Sequence, residues 1–310
     1  GKLKKGFKDF SQALSINPKD IVALYNRGVL YFQFKKYPEA LKDFNQTIRL
    51  NPKHVYAYFS RGNLYNAQNK PEKAIESYSQ AIKIAKFPQA ILFRGYTYIT
   101  LKAYKPAIKD FTLLIRMNPK FTMAYNARGM VYNHLGMYDE AITDFTTAVD
   151  LNSKLLIGYI NRGNAHRSLT HYEEAIKDYN QAIKLNPKLA KGYSGRGYTY
   201  ILLKNYEKAV KDFDQVIKIN PKNAYAYNNR GYSYFLLKNY QKGLEDCNLA
   251  IKMKPRFPES YNSRGEIYEA LGDCRAIKDY QLYLKLSRNL SISKKQTIHE
   301  RIVKLKKKCK

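Results

Sequence analysis

AKGYSGRGYTYILLKNYEKAVKDFDQVIKINPKN, residues 190–223, is one of a series of near copies, and its reading decides the fold. The pair Arg196-Gly197 inside it returns as Arg27-Gly28, Arg61-Gly62, Arg94-Gly95, Arg128-Gly129, Arg162-Gly163, Arg230-Gly231 and Arg264-Gly265. Every interval is 34 residues except one of 33. Self-similarity at this period predicts a stacked array of small units instead of one closed globule, so function should lie along an extended surface.

With Arg-Gly at positions 7 and 8 of each unit, the other columns fall into register. Position 11 is Tyr31, Tyr65, Tyr98, Tyr132, His166, Tyr200, Tyr234 and Tyr268, and position 20 is alanine from Ala40 to Ala209 and then Gly243. Position 24 is aromatic from Phe44 to Phe213, becomes Cys247, and returns as Tyr280 after a one-residue correction. Pro52, Pro119, Pro187, Pro221 and Pro255 close their units at position 32, where proline stops a helix. Between these marks the apolar residues have helical spacing, as in Ala209, Val210, Phe213 and Ile217. Each unit is therefore predicted to be two helices joined by a short turn. A glycine inside a helix costs roughly 1 kcal/mol relative to alanine. Close approach of the second helix at the small residue of position 20 is the expected compensation.

A small residue at 8, an aromatic at 11, Ala at 20, an aromatic at 24 and Pro at 32 together resemble the tetratricopeptide repeat family, over almost the whole chain. The resemblance implies an all-α fold: antiparallel helix pairs stacked into a right-handed α-solenoid superhelix, its inner wall lined by the first helix of each pair. A pentatricopeptide array, which would read RNA, is the nearest alternative, and the Gly, Ala and Pro columns argue against it. The chain then reads as a single solenoid over residues 1–310. Residues 1–20 match the second helix of a truncated repeat, 21–290 hold eight repeats, and 291–310 form a cap helix with a basic tail. The missing first helix and the absence of an initiator Met lead us to expect a piece of a longer protein. Ser293-Lys-Lys-Gln296 has the form of a capping box ahead of the stripe Ile298, Ile302 and Leu305. Two units are irregular. The second ends Ile84-Ala85-Lys86-Phe87 without proline and one residue short, and the last, at Gly272-Asp273-Cys274-Arg275-Ala276, is expected to have lost a residue from its inter-helix turn.

The formal net charge is +30, and eight of the fifteen arginines stand at position 7. Position 23 carries Asp43, Asp110, Asp144, Asp178, Asp212 and Asp246, with Asp9 before them and Asp279 after the same correction. These columns flank the helix seams, so the expected role of Arg27, Arg61, Arg94, Arg128, Arg162, Arg196, Arg230 and Arg264 is a structural ladder with the aspartates. Spacing leaves open whether an aspartate pairs inside its own repeat or with the next. The charge surplus comes from forty lysines, frequent on the second helices and loops, as at Lys42, Lys109, Lys177 and Lys211. A solvated lysine face is the ordinary reading; its field would also attract RNA, acidic cytoskeletal tails or other polyanions.

The resemblance places ligands along the concave wall, at positions 2, 5, 6, 9, 12 and 13 of the first helices. Those columns supply the candidate peptide contacts Tyr25, Asn26, Phe59, Asn63, Tyr96, Asn126, Met130, Asn161, Asn164, Tyr198, Tyr225, Asn228, Asn229, Tyr232 and Phe235. Asn can donate to and accept from a peptide backbone, while Tyr, Phe and Met supply adaptable contact area. The last repeat turns acidic, with Glu259, Glu266 and Glu269. Position 5 holds no lysine, which argues against clamping of chaperone C-terminal tails.

Five scattered histidines, no glycine-rich phosphate loop and few free carboxylates point to no catalytic site, metal or cofactor. No apolar run is long enough to span a bilayer. Cys247, Cys274 and Cys309 show no paired spacing, so reduced thiols and a cytoplasmic location are expected. The expected function is a non-enzymatic scaffold that binds an extended peptide or helix of another protein within a multi-protein assembly. The alternatives are polyanion binding through the lysines, or service as the targeting arm of an enzyme whose catalytic part lies outside this sequence.

Overall fold

The computed structural model describes residues 2–309, with side chains for residues 5–309. Among these residues every regular element is an α-helix. They form two compact units, Gly1–Asn152 and Ser153–Lys310. The first holds α1 (Lys2–Ile16) and the pairs α2 (Ile21–Gln33) with α3 (Tyr37–Leu50), α4 (Val55–Ala67) with α5 (Pro71–Ile84), α6 (Pro88–Thr100) with α7 (Tyr104–Met117), and α8 (Thr122–His134) with α9 (Tyr138–Leu151). The second holds α10 (Leu156–Ser168) with α11 (Tyr172–Leu185), α12 (Ala190–Leu202) with α13 (Tyr206–Ile219), α14 (Ala224–Leu236) with α15 (Tyr240–Met253), and α16 (Pro258–Ala270) with α17 (Arg275–Leu286), followed by α18 (Ile292–Lys308).

The turns follow directly from the repeated phrases. In Asn-Pro-Lys the asparagine carbonyl oxygen accepts the backbone N–H two residues on, as Asn51 does from Lys53 and Asn118 from Lys120, each at 3.0 Å. This Asx turn, with proline unable to continue the helix, ends the second helix of a pair. The turn inside each pair is made at position 15, which adopts the left-handed conformation every time: Lys35, Asn69, Lys102, Gly136, Thr170, Lys204, Lys238 and Gly272.

The seam of each pair is built from positions 8, 20 and 24. Ala40, Ala107, Ala175 and Ala209 are fully buried, as are Phe44, Tyr78, Phe111, Tyr179 and Phe213. The glycine at position 8 makes room chiefly for the ring at position 24, and less for the small residue at 20. A Cβ at Gly62 would lie 2.4 Å from Cε1 of Tyr78, and one at Gly95 would lie 2.5 Å from Cε1 of Phe111. Ring burial, with its large apolar area, is what offsets the glycine's helix cost.

Within each unit the first helices also approach one another, as α2 does α4, α6 does α8, α10 does α12, and α14 does both α12 and α16. The second helices do not come together to that extent. Positions on the first helices therefore share a face inside each unit.

Three expectations require correction. The cap of α18 is Ser291, whose hydroxyl oxygen accepts from the Lys294 N–H at 3.3 Å, and Ser293 of the expected capping box lies inside the helix. The last pair did not lose a residue from its turn: residues 271–274 make that turn one residue longer than the others, and α17 has 12 residues where its counterparts have 14. The deletion is absorbed by the first turn of the helix, which leaves the seam ring Tyr280 buried in place. Nor are all three cysteines free thiols. Cys274 and Cys309 are joined in a disulfide with Cα atoms 6.1 Å apart, while Cys247 is free and buried. Spacing along the chain could not show this pairing, because α18 folds back to bring residues 35 apart together. Cysteine usage accordingly gives no argument for a reducing compartment.

Candidate functional site

The arginine and aspartate columns meet, and they do so inside each pair. Arg27 donates from Nε and Nη2 to the two carboxylate oxygens of Asp43, both at 2.8 Å, and Arg94, Arg128, Arg196, Arg230 and Arg264 repeat this fork on Asp110, Asp144, Asp212, Asp246 and Asp279. Arg162 does the same to Asp178. The remaining nitrogen reaches back to position 25 of the preceding pair: Arg94 to Ser79, Arg128 to Thr112, Arg230 to Asp214 and Arg264 to Asn248. Where a tyrosine stands three residues before the arginine, the guanidinium also lies over its ring, as Arg61 does over Tyr58 at 5.1 Å and Arg196 over Tyr193 at 5.6 Å. The hydrogen bonds to Asp43 and Asp212 raise Arg27 and Arg196 above the ordinary guanidinium value, while burial pushes the Asp212 carboxyl up against the pull of Arg196. Arg61 differs, because Ser77 stands where the others have aspartate; its Nε donates to Ser77 at 3.2 Å and its Nη1 to Asn45 at 2.9 Å.

The candidate contacts on the first helices divide into committed and available groups. Asn126 and Asn228 are buried and present little to a ligand; Asn126 donates to Sδ of the half-buried Met130, and Asn228 to Asn229. The carbonyl oxygens of Asn63 and Asn164 accept from the hydroxyls of Tyr78 and Tyr179 at 2.7 and 2.8 Å. Position 24 is tyrosine there, and its buried hydroxyl requires a partner. Tyr25 packs against Phe44 and His54. Asn26 and Asn161, on first helices of the first and second unit, are half-buried.

What remains is aromatic. In the first unit Tyr56 is 56% and Phe93 41% exposed. They flank Phe59 and Phe87, with Tyr56 to Phe87 at 5.3 Å, Phe59 to Phe87 at 5.3 Å and Phe59 to Phe93 at 5.5 Å. Beside them a cavity of about 310 Å³ is lined by Asn66, Asn69, Pro71, Phe93, Tyr96, Thr97 and Thr100. In the second unit Tyr198 is 45% and Tyr225 51% exposed. The Arg167 guanidinium lies 5.3 Å over Tyr198, and Lys254 lies 4.2 Å over Tyr225, which also meets Phe257 edge-on at 4.5 Å. Tyr232 and Phe235 pack at 5.9 Å on the same helix as Tyr225.

Phe87, Phe93, Lys254 and Phe257 were not among the sequence candidates. Phe93 lies in a column already under consideration, position 6. Phe87 and Phe257 lie in the loops before first helices, and the signal for Phe87 was the departure of Lys86-Phe87 from the usual Asn-Pro-Lys phrase.

Comparison with known proteins agrees with this architecture. Tetratricopeptide repeat profiles match residues 21–54, 55–86, 88–121, 123–155, 190–223 and 224–257, and a further repeat profile matches 163–203. The chain belongs to the tetratricopeptide repeat family. A tetratricopeptide repeat protein of known structure from Parabacteroides merdae is 19% identical with a TM-score of 0.64, over 81% of this chain and 98% of that one. The Cut9–Hcn1 hetero-tetramer of the APC/C contains a chain 18% identical with a TM-score of 0.64, over 95% of this chain and 58% of that one. No curated protein matches the sequence significantly. Among the described residues no helix is long and apolar enough to cross a membrane. As an array of tetratricopeptide repeats, the chain is a protein-interaction scaffold.

Proposed function

We propose that this scaffold holds an extended or helical segment of a partner protein along the shared face of its first helices, as one component of a multi-protein assembly. One observation carries the reading. Every aromatic exposed on a first helix stands at position 2, 6 or 9, namely Tyr56, Phe93, Tyr198 and Tyr225, and none of the four is needed to close a seam. Exposed aromatics on the first helices of each unit suit contact with a peptide. The ladder arginines are left out of the proposed contacts, because a seam partner holds each of them and most also bridge to the preceding pair. The Cut9–Hcn1 chain works in a hetero-tetramer, and that kind of setting is the one proposed here. We also read the chain as one solenoid, with α1 as the second helix of a truncated repeat and α18 as a cap.

Photo-crosslinking tests the proposal. A benzophenone amino acid placed at Tyr56, Phe93, Tyr198 or Tyr225 should give partner adducts in extracts of the source cells, and the same probe at Lys109 or Lys211 on second helices should not. Joint replacement of the four aromatics by alanine should abolish capture while the helical circular dichroism of the folded chain is retained. Equal crosslinking from both faces, or capture that falls steeply with salt and survives the four replacements, would favour polyanion binding by the lysines instead.

A further inference from the structure

We infer that α18 is a thiol-controlled latch on the last helix pair: the Cys274–Cys309 disulfide holds it closed, and reduction releases it from an acidic, aromatic end of the first-helix face.

The helix takes the place that the repeat pattern gives to a next first helix. From this following helix Arg301 Nη1 donates to the Tyr280 hydroxyl at 3.1 Å, whereas the Tyr179 and Tyr78 hydroxyls accept from Arg167 at 2.9 Å and from Asn66 at 3.1 Å, both on the first helix of their own pair. The Tyr280 hydroxyl in turn donates to Glu269 at 2.5 Å. Arg301 also reaches Glu266 at 3.2 Å and Glu269 at 3.5 Å. The acidic turn of the last repeat, unexplained in a chain of net charge +30, thus has an occupant supplied by the same chain. Around these groups lies a cavity of about 350 Å³, walled by Tyr232, Phe235, Glu266, Glu269, Ala270 and Arg301.

The non-covalent hold on this helix is light. Only Ile298, Ile302 and Leu305 are buried, against Tyr261, Tyr268, Tyr280 and Tyr283, and α18 touches α17 less than any other consecutive helices of the second unit touch each other. Lys294, Lys295, Lys304, Lys306, Lys307 and Lys308 crowd one 17-residue helix and repel one another. The covalent tie sits at the far end of the helix, where that repulsion is greatest. It is also accessible, since Cys274 is exposed and Cys309 half-exposed. The lysines beside Cys309 favour its thiolate as a leaving group. Reduction by a dithiol such as dithiothreitol transfers two electrons and two protons: Cys274 and Cys309 become thiols, and the reductant closes its own disulfide. Cys247, buried in its seam, takes no part.

Hydrogen exchange read by mass spectrometry on the oxidised chain tests the latch. Adding dithiothreitol should speed exchange of residues 298–308 by about tenfold or more and leave α12 to α15 unchanged. Cys309→Ser should exchange fast with or without reductant, its fold checked by circular dichroism. Arg301→Met, with the disulfide intact, should keep slow exchange until reductant is added. Exchange in α18 that is indifferent to reductant would overturn the proposal. So would acceleration shared by every helix, or three titratable thiols in the unfolded, oxidised chain.

Discussion

Arg61 shows what one residue decides. Its neighbours in the column each grip a carboxylate with two parallel hydrogen bonds, and it meets the hydroxyl of Ser77, which is 1% exposed. Charge-assisted forks are roughly twice as strong as neutral hydrogen bonds, and the desolvation of this half-buried guanidinium is already a cost of the fold. Ser77→Asp should therefore raise stability by about 1 kcal/mol, measured by urea unfolding, because it completes a geometry that seven other pairs display. A loss of stability would mean that this seam is shaped for the smaller side chain. The columns of arginine and aspartate were plain in the sequence. Their pairing was not, since a spacing of 16 residues from position 7 to position 23 is equally compatible with bonding inside a pair or across to the next. The packed helices choose the first, and leave the third nitrogen to bridge backwards.

At the scale of the element, the turn inside each pair is set by one residue in the left-handed region. Six of these eight positions are not glycine, and Thr170, at φ 62°, is the most strained, since a β-branched side chain there crowds the backbone. Thr170→Gly should stabilise the chain by about 1 kcal/mol, visible as a higher denaturation midpoint, with no change in the folded spectrum. An unchanged or lower midpoint would show that Thr170 makes a compensating contact. Helix limits were legible because proline, the Asn-Pro-Lys Asx turn and the 3.6-residue periodicity are local signals. The lengthened turn of the last pair was not, because the missing residue can be taken from turn or helix, and the demand that Tyr280 stay in its seam decides between them.

The whole molecule carries its buried tyrosines and arginines in the same protonation logic. Burial pushes the Tyr179 phenol up to about 12 and raises Tyr78 and Tyr280 as well, and the hydrogen bonds to Asp212 and Asp279 raise Arg196 and Arg264. In each case the protonated form is favoured by folding, so the contribution is complete below the unfolded value, near 10 for tyrosine, and is lost as pH rises through the folded one. Stability should be flat from about pH 8 to 10 and fall between roughly pH 10 and 12, with Tyr179 alone accounting for on the order of 2 kcal/mol. Urea midpoints across that range, followed beside tyrosine absorbance, would check it. Ionisation of every phenol by about pH 10 in the folded chain would refute it.

Sequence alone determined the repeat, the helix pair and the seam, because each is written locally and many times over: a period of 34 residues, a ring at position 24, a glycine at position 8 that the ring requires. Tertiary structure decided which side chains are spoken for. Burial withdrew Asn126 and Asn228 from the candidate face, and the Tyr78 and Tyr179 hydroxyls engaged Asn63 and Asn164. Loop packing added Phe87 and Phe257, and the return of α18 joined Cys274 to Cys309. Those outcomes depend on contacts between residues that no periodicity links, so they exist only once the helices are packed.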